Sequence, residues 1–463
     1  TVNPTGGFAG AVALTATGTV TGLTAAFNPL SVTSPNTSTL TLTATSGLAV
    51  GAYPIVLHGN STGLAEQVVN LTVNVNAPSG SGNVTVSFAG CNATLKAVWL
   101  AYQDGNGAWT RVIGTNDVYQ FNIAQSKAGV AYVVLGTGTA SSLRVFYYSQ
   151  SEITSAPLTF CVPATIKTLN GTVANLSGIG TFADISFGGT TIAALANGPF
   201  QITTAKDGLN DLVGWMHSST APSTDRGFIN RGLNPANNGS LGTVDFTGAN
   251  SFAALAAAVT VTNSLGGAEQ LVQGMAYYTG TGANACTTAQ LYSSAGVTTP
   301  NLTVYGVPAA NQVATDYHSI SIFAHITGTG TRILQEDFQD LTTRAAQPFA
   351  LPPALAPTVT DAGGPYKRLM LVLPRPAEYN LVAGLQYFST ASKIVALTAT
   401  NGWIGGSTAT LTTPDLSALA GWDNTWVPAT ADVVSWSAIA NGESGTACTS
   451  GHRFVSAVAN GSL

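Results

Sequence analysis

Apolar and polar residues alternate with a period of two along most of the chain, in short runs separated by Gly, Pro or Asn-Gly. STLTLTA (38–44), QVVNLTVNV (67–75), KAVWLAYQ (96–103), GVAYVVLG (129–136), HSISIFAHITG (318–328) and KIVALTAT (393–400) are among the clearest. A period of two sends successive side chains to opposite faces, so each run reads as a strand with one face toward a core. The runs recur about every ten residues, the spacing of β-sandwiches. The chain is therefore expected to be all-β, built of sandwich modules in series. Helical patterning is scarce. RILQEDFQDLTTR (332–344) suits a short helix or an extended edge equally, and DLSALAGW (415–422) suits a single helical turn.

The punctuation predicts where modules end. NAPSGSGN (76–83) is a polar Gly/Ser/Pro linker and the clearest boundary, and FALPPALAPTV (349–359) is proline-rich. Five segments are expected: 1–77, 83–163, 164–242, 243–355 and 356–463. A length of 463 residues implies about three ordinary domains, and short β-modules raise that number.

Two segments carry a family resemblance. GGFAGAVALTA (6–16), GLTAAFNPLSV (22–32), STLTLTA, GAYPIVLHG (51–59) and QVVNLTVNV resemble the bacterial Ig-like repeat of secreted and cell-surface proteins. In that repeat a further strand precedes the GGF turn, whereas only Thr1–Thr5 precede it here. The resemblance implies a sandwich short of an edge strand, with unpaired main-chain groups. Cleavage, a longer chain, or a strand supplied by another chain would each account for it. Farther on, LNGTVANLSG, FADISFGGTTI and GPFQITTAKDGLNDLVGWM, from Leu169 to Met216, resemble the transthyretin-like sandwich of carboxypeptidase regulatory domains. That likeness implies a structural module and no catalysis. The segment 83–163 is similar to modules of secreted bacterial proteins and implies no activity.

Composition narrows the function classes. Charged residues make up 8% of the chain, against about 25% in an ordinary soluble domain. With 51 glycines and abundant Thr, Ser and Asn, the surface is expected to be hydroxyl and amide rather than ionic, which weakens repulsion between copies. A net charge of −5 without a basic run excludes a nucleic-acid footprint. No run of eighteen apolar residues is present, so no membrane-spanning helix is expected. Four cysteines, none in a C-x-x-C pair, suggest disulfides Cys91–Cys161 and Cys286–Cys448 and an extracellular or cell-surface location. Four buried thiols are the competing reading. Frequent Asn-x-Ser/Thr sequons permit glycosylation, but most arise by chance in so hydroxyl-rich a chain.

Candidate chemistry is thin. The five histidines form no close metal pair, and His318 and His325 fall on opposite faces of one strand. NGESGT (441–446) lacks the spacing of a nucleophile elbow. Glu336, Asp337 and Asp340 cluster, and read as a solvated face. DGNG (104–107) resembles part of a calcium loop, but a hairpin turn explains it better. Trp99, Tyr102 and Trp109 flank that hairpin. They suggest a glycan-stacking face, against core packing, and Trp422, Trp426 and Trp436 pose the same choice. The expectation is no catalytic centre, cofactor or metal.

Three functions follow. The first is a structural subunit of an extracellular bacterial filament, sheath or surface layer, whose partner is another copy of itself through strand contacts. The second is a monomeric adhesin or glycan-binding protein. The third is the non-catalytic part of a secreted hydrolase. For strand exchange, the tail HRFVSAVANGSL (452–463) offers a donor, with Phe454 and Val458 on one face and Ser456 between them. Pairing of the tail within its own module is the competing reading.

Overall fold

The computed structural model describes residues 8–33, 36–44, 51–75, 83–161, 166–177, 181–218, 223–266, 269–279, 288–293 and 299–463. Among them strand predominates. The α-helices are Gln150–Thr154, Leu341–Ala345 and Asn401–Ile404, none longer than five residues. Among the described residues no helix is long and apolar enough to cross a membrane. The chain divides into two units, residues 1–83 with 120–122, and residues 84–119 with 123–463.

The first unit is a small two-sheet arrangement. One sheet runs Ser31–Thr33, Ala11–Thr17, Gly51–Asn60, Gln67–Val75, and the other pairs Leu23–Asn28 with Thr39–Ala44. Leu23, Val32, Ile55 and Phe121 are its buried apolar residues among those described.

The second unit is organised by one sheet of twelve strands. In chain order these are β1 (Ala97–Asp104), β2 (Trp109–Val112), β3 (Lys127–Leu135), β4 (Ser141–Ser149), β5 (Gln270–Tyr278), β6 (Thr288–Ser293), β7 (Tyr317–Ile326), β8 (Gly330–Phe338), β9 (Val382–Ser389), β10 (Lys393–Thr400), β11 (Val434–Ser444) and β12 (Arg453–Ser462). Their order across the sheet is β6-β5-β7-β8-β12-β11-β9-β10-β4-β3-β1-β2. Strands from the expected segments 83–163, 243–355 and 356–463 thus share one sheet rather than forming separate modules. The joint is β4 with β10, a parallel pair in which Ser141 faces Lys393 and Tyr147 faces Ala399.

Alternation decides which face is covered. Ala383, Leu385 and Tyr387 of β9 and Val395, Leu397 and Ala399 of β10 point into one core, while Gln386 and Phe388 point away and are exposed. Two short sheets cover that core, one of Leu255–Thr262, Asn301–Gly306 and Phe349–Ala350, the other of Thr358–Asp361, Leu369–Pro374 and Thr408–Thr412. Each large side chain buried here contributes about 1.5–3 kcal/mol. The buried phenols find partners. Tyr387 Oη donates to the Lys367 carbonyl at 2.9 Å, and Tyr366 Oη to that of Pro414 at 2.7 Å.

The resembled transthyretin-like region is a sandwich within this unit. Gly198–Lys206, Ile166–Ala174 and Ser240–Asp245 form one sheet; Thr190–Ala194, Phe182–Phe187, Asn210–Ser218, Ser223–Leu233 and Ser251–Ala253 form the other. Asn210–Ser218 is buried on both faces. Leu212 and Met216 pack in the sandwich core, whereas Val213 and Trp215 pack in the core of the large sheet. Because strands up to Ala253 complete this sandwich, it extends past the expected boundary at 242.

The charged stretch 332–344 holds a short helix, as one alternative expected, but its extended part is an interior strand and not an edge. Residues through Phe338 belong to β8, which is paired on both sides, and Asp340 caps the helix Leu341–Ala345 by accepting from the Thr342 and Thr343 amides.

Candidate functional site

The strand Gln67–Val75 is the outer member of its sheet. It pairs with Gly51–Asn60 in unbroken antiparallel register, from Gly51 opposite Val75 to Gly59 opposite Gln67. Among the described residues nothing pairs with its other side. Natural edge strands are blunted by Lys, Pro or bulges. This one has none of these, because QVVNLTVNV carries no charge and no proline. Val68 and Val69 are 54% and 61% exposed, on opposite faces. The adjoining carboxylate of Glu66 is turned back into its own sheet, accepting from Asn60 Nδ2 at 3.0 Å and lying 3.1 Å from His58 Nδ1. The second sheet of the unit has only two strands among the described residues, so Leu23–Asn28 and Thr39–Ala44 each have an open outer side as well. Neither carries a charge or a proline.

This places the open edge away from the expected groove. Ala11–Thr17, the strand that GGFAGAVALTA predicts, has Gly51–Asn60 on one side. On the other, Ser31–Thr33 covers Ala11–Ala13, and the Leu14 amide donates to the Leu30 carbonyl at 2.8 Å. Gly6 and Gly7 lie outside the described residues.

The tail is not free to fill a groove. Phe454, Ser456 and Val458 sit in β12 between β8 and β11, opposite Gln335, Ile333 and Thr331 on one side and Glu443, Asn441 and Ile439 on the other. Donating this strand would open the sheet at its middle. The pairing is the competing reading of the tail.

Cys91 and Cys161 are bonded, with Cα atoms 5.2 Å apart and a sequence separation of 70. Cys286 lies outside the described residues, and so does its expected pairing with Cys448.

The three hairpin aromatics do not form one stacking face. Trp99 is buried, donates Nε1–H to the Ala420 carbonyl at 3.3 Å, and meets Trp422 edge-on at 5.0 Å. The Arg111 guanidinium lies 5.1 Å from its ring centroid. Trp109 packs beside Tyr147 and over Gly129, where a Cβ would approach the indole to 2.8 Å. Alternation along β1 sends Tyr102 to the face opposite Trp99. Trp422, Trp426 and Trp436 are partly buried against the large core. The Asp104 carboxylate of the DGNG turn accepts from the Ala124 and Gln125 amides, at 3.1 Å and 2.8 Å for the nearer contacts.

The charged cluster is the feature that sequence reading misses. Glu336, Asp337 and Asp340 were expected on a solvated face. Asp340 is exposed, but Glu336 is partly buried between Arg344 and Arg453, and Asp337 is buried against His452. His452 Nδ1 lies 2.9 Å from Asp337 and Nε2 lies 2.9 Å from Glu443. The ring therefore ties together β8, β11 and the start of β12. With both nitrogens spent on carboxylates, it has none left to activate a hydroxyl. The signal lay in residues far apart in sequence, so no spacing rule could reveal it.

His318 is buried and uses both nitrogens on main chain, Nδ1 at 2.9 Å from the Gln339 carbonyl and Nε2 accepting from the Val307 amide at 2.9 Å. Burial pushes its pKa down to about 4, against the pull of the carbonyls around it. His325 lies on the opposite face, 3.2 Å from Thr331 Oγ1. Deeper in the unit, Arg332 grips Glu269 through Nε and Nη2, with Nη2 at 2.6 Å. Burial raises the Glu269 pKa, but hydrogen bonds from Arg332 and the Leu265 amide outweigh it and hold the carboxyl below its usual range. Among the described residues no group of three or more His, Cys, Asp or Glu side chains could hold a metal.

No known protein family matches the chain, and no curated protein resembles it closely enough to align.

Proposed function

We propose that the chain is a structural subunit of an extracellular bacterial assembly, a filament, sheath or surface layer, that polymerises through β-strand contacts between copies. The observation that carries this reading is the edge Gln67–Val75, nine residues long, regular, uncharged and open on one side among the described residues. Main-chain N–H and C=O groups along such an edge form a template for another strand. A charged fraction of 8% adds little repulsion between copies. The Cys91–Cys161 bond suits an oxidising, exported setting.

The test is the solution state of the full chain. Light scattering after size exclusion, with negative-stain microscopy, is expected to show mass growing with concentration. Val69→Lys, which puts a charge on the open edge, is expected to stay monomeric with an unchanged far-UV spectrum. A wild-type chain that is monomeric throughout, or a Val69→Lys chain that assembles equally well, would overturn the proposal and favour the adhesin.

A further inference from the structure

A cavity of about 410 Å³ lies over β3, β4 and β10, on the sheet face opposite the large core. Its apolar wall includes Phe88 and Phe160, the residues that follow the short parallel pair Val84–Ser87 with Leu158–Thr159. Phe88 and Phe160 stack at 4.6 Å with planes 9° apart, and Tyr132 of β3 stands edge-on to both at 5.0 Å. Phe160 remains 39% exposed. The Cys91–Cys161 bond anchors the residue beside it.

The polar side of the cavity has one sign of charge. Arg144 of β4 lies opposite Tyr132 in register and bonds its phenol. It is exposed and makes no ion pair among the described residues, and no carboxylate lines the cavity. Ser142 and Ser392 add hydroxyls. The rim loop is held in place, since Lys393 Nζ donates to the Thr139 carbonyl and the Ser141 amide to that of Ser392 at 3.3 Å.

We propose that this cavity binds the carboxylate-bearing ring of an acidic polysaccharide, a hexuronate unit. An exposed aromatic face suits the apolar face of a pyranose ring. A guanidinium without an acidic partner is the group that takes a carboxylate through two parallel hydrogen bonds. The serine hydroxyls and the main chain of the rim match ring hydroxyls, and the volume is that of a small-ligand site. A neutral sugar would leave the guanidinium without a counter-charge. A cation would meet Arg144 with no carboxylate to receive it.

Calorimetric titration of the full chain with tri-galacturonate tests this, with maltotriose and benzoate as comparisons. Tri-galacturonate is expected to bind, more weakly as salt rises, and maltotriose to bind about tenfold less tightly or not at all. Arg144→Gln is expected to weaken tri-galacturonate about tenfold, and Phe160→Ala to weaken it with an unchanged far-UV spectrum. Absence of tri-galacturonate binding, equal affinity in Arg144→Gln, or maltotriose binding as tightly would overturn the proposal. So would benzoate binding in place of the sugar. None of these outcomes depends on whether the chain assembles through Gln67–Val75.

Discussion

The carbonyl oxygen of Glu378 lies against the α-carbon of Gly442, so close that a Cβ on residue 442 would stand 1.6 Å from it. The turn that carries Glu378 cannot withdraw easily. Asn380 donates to the Glu443 carbonyl at 3.1 Å and accepts from the Glu443 amide at 2.9 Å, clamping that turn to β11. Any side chain at 442 must therefore part main chain from main chain. Gly442→Ala is expected to destabilise the second unit by about 3 kcal/mol, the upper range for overpacking. Urea denaturation would read this as a lowered midpoint with the slope unchanged, and an unaltered midpoint would contradict the geometry.

His318 predicts a specific acid sensitivity. Its folded pKa of about 4 lies below the unfolded value of about 6.5. Above both values the ring is neutral in either state and costs nothing. As pH falls from about 6.5 to about 4, the unfolded chain takes up a proton that the folded chain refuses, and stability drops by about 3 kcal/mol. Midpoints measured at pH 7 and near pH 4 would show the loss. His318→Gln, which cannot titrate, is expected to be less stable at pH 7 but to lose less on acidification. A variant with the same pH slope as wild type would count against this account.

The Cys91–Cys161 bond closes a loop of 70 residues, for which chain entropy gives about 4 kcal/mol. Cys91→Ser is expected to lower thermal stability accordingly and to loosen Phe160, which adjoins Cys161. Differential scanning calorimetry checks the first effect. A variant that melts with wild type would mean that the bridge constrains little.

Assembly through an uncharged edge makes a prediction of its own. Main-chain hydrogen bonds and apolar contact are weakly screened, whereas ion pairs between surfaces fade beyond a Debye length of about 10 Å at 0.1 M salt. Sedimentation of the assembled chain is expected to change little between about 0.05 and 0.5 M NaCl. Dissolution by salt would point to ionic contacts instead.

Local pattern was enough to read the strands. KAVWLAYQ and the Trp109–Val112 strand after DGNG form the expected hairpin, with Gln103 opposite Trp109. HSISIFAHITG alternates as written, His318 inward and Phe323 outward. What could not be read was which strands meet. The pairing of Ser141–Tyr147 with Lys393–Ala399 spans about 250 residues and leaves no periodic trace in either run. Asn210–Ser218 is buried on both faces, so its NDLVGWMHS loses the alternation that would assign it to one module. The site residues split in the same way. Trp99 and Tyr102 are near in sequence and part company across the sheet, whereas Asp337 and His452 are distant and touch. The cavity beside Phe160 depends on three strands and a loop converging, which no single motif encodes.

The position of β12 makes it the one link between two parts of the large sheet. Until residues 453–462 are available, β8 and β11 each present a long unpaired edge, and the large sheet exists as two fragments. The β4–β10 joint lies wholly within the fragment that carries β11, so it does not tie that fragment to the one that carries β8. Non-local closures of this kind make folding slow and leave strand edges exposed meanwhile. Any chain in which Arg453–Ser462 is not inserted exposes two such edges, and each is open to a neighbour's strand.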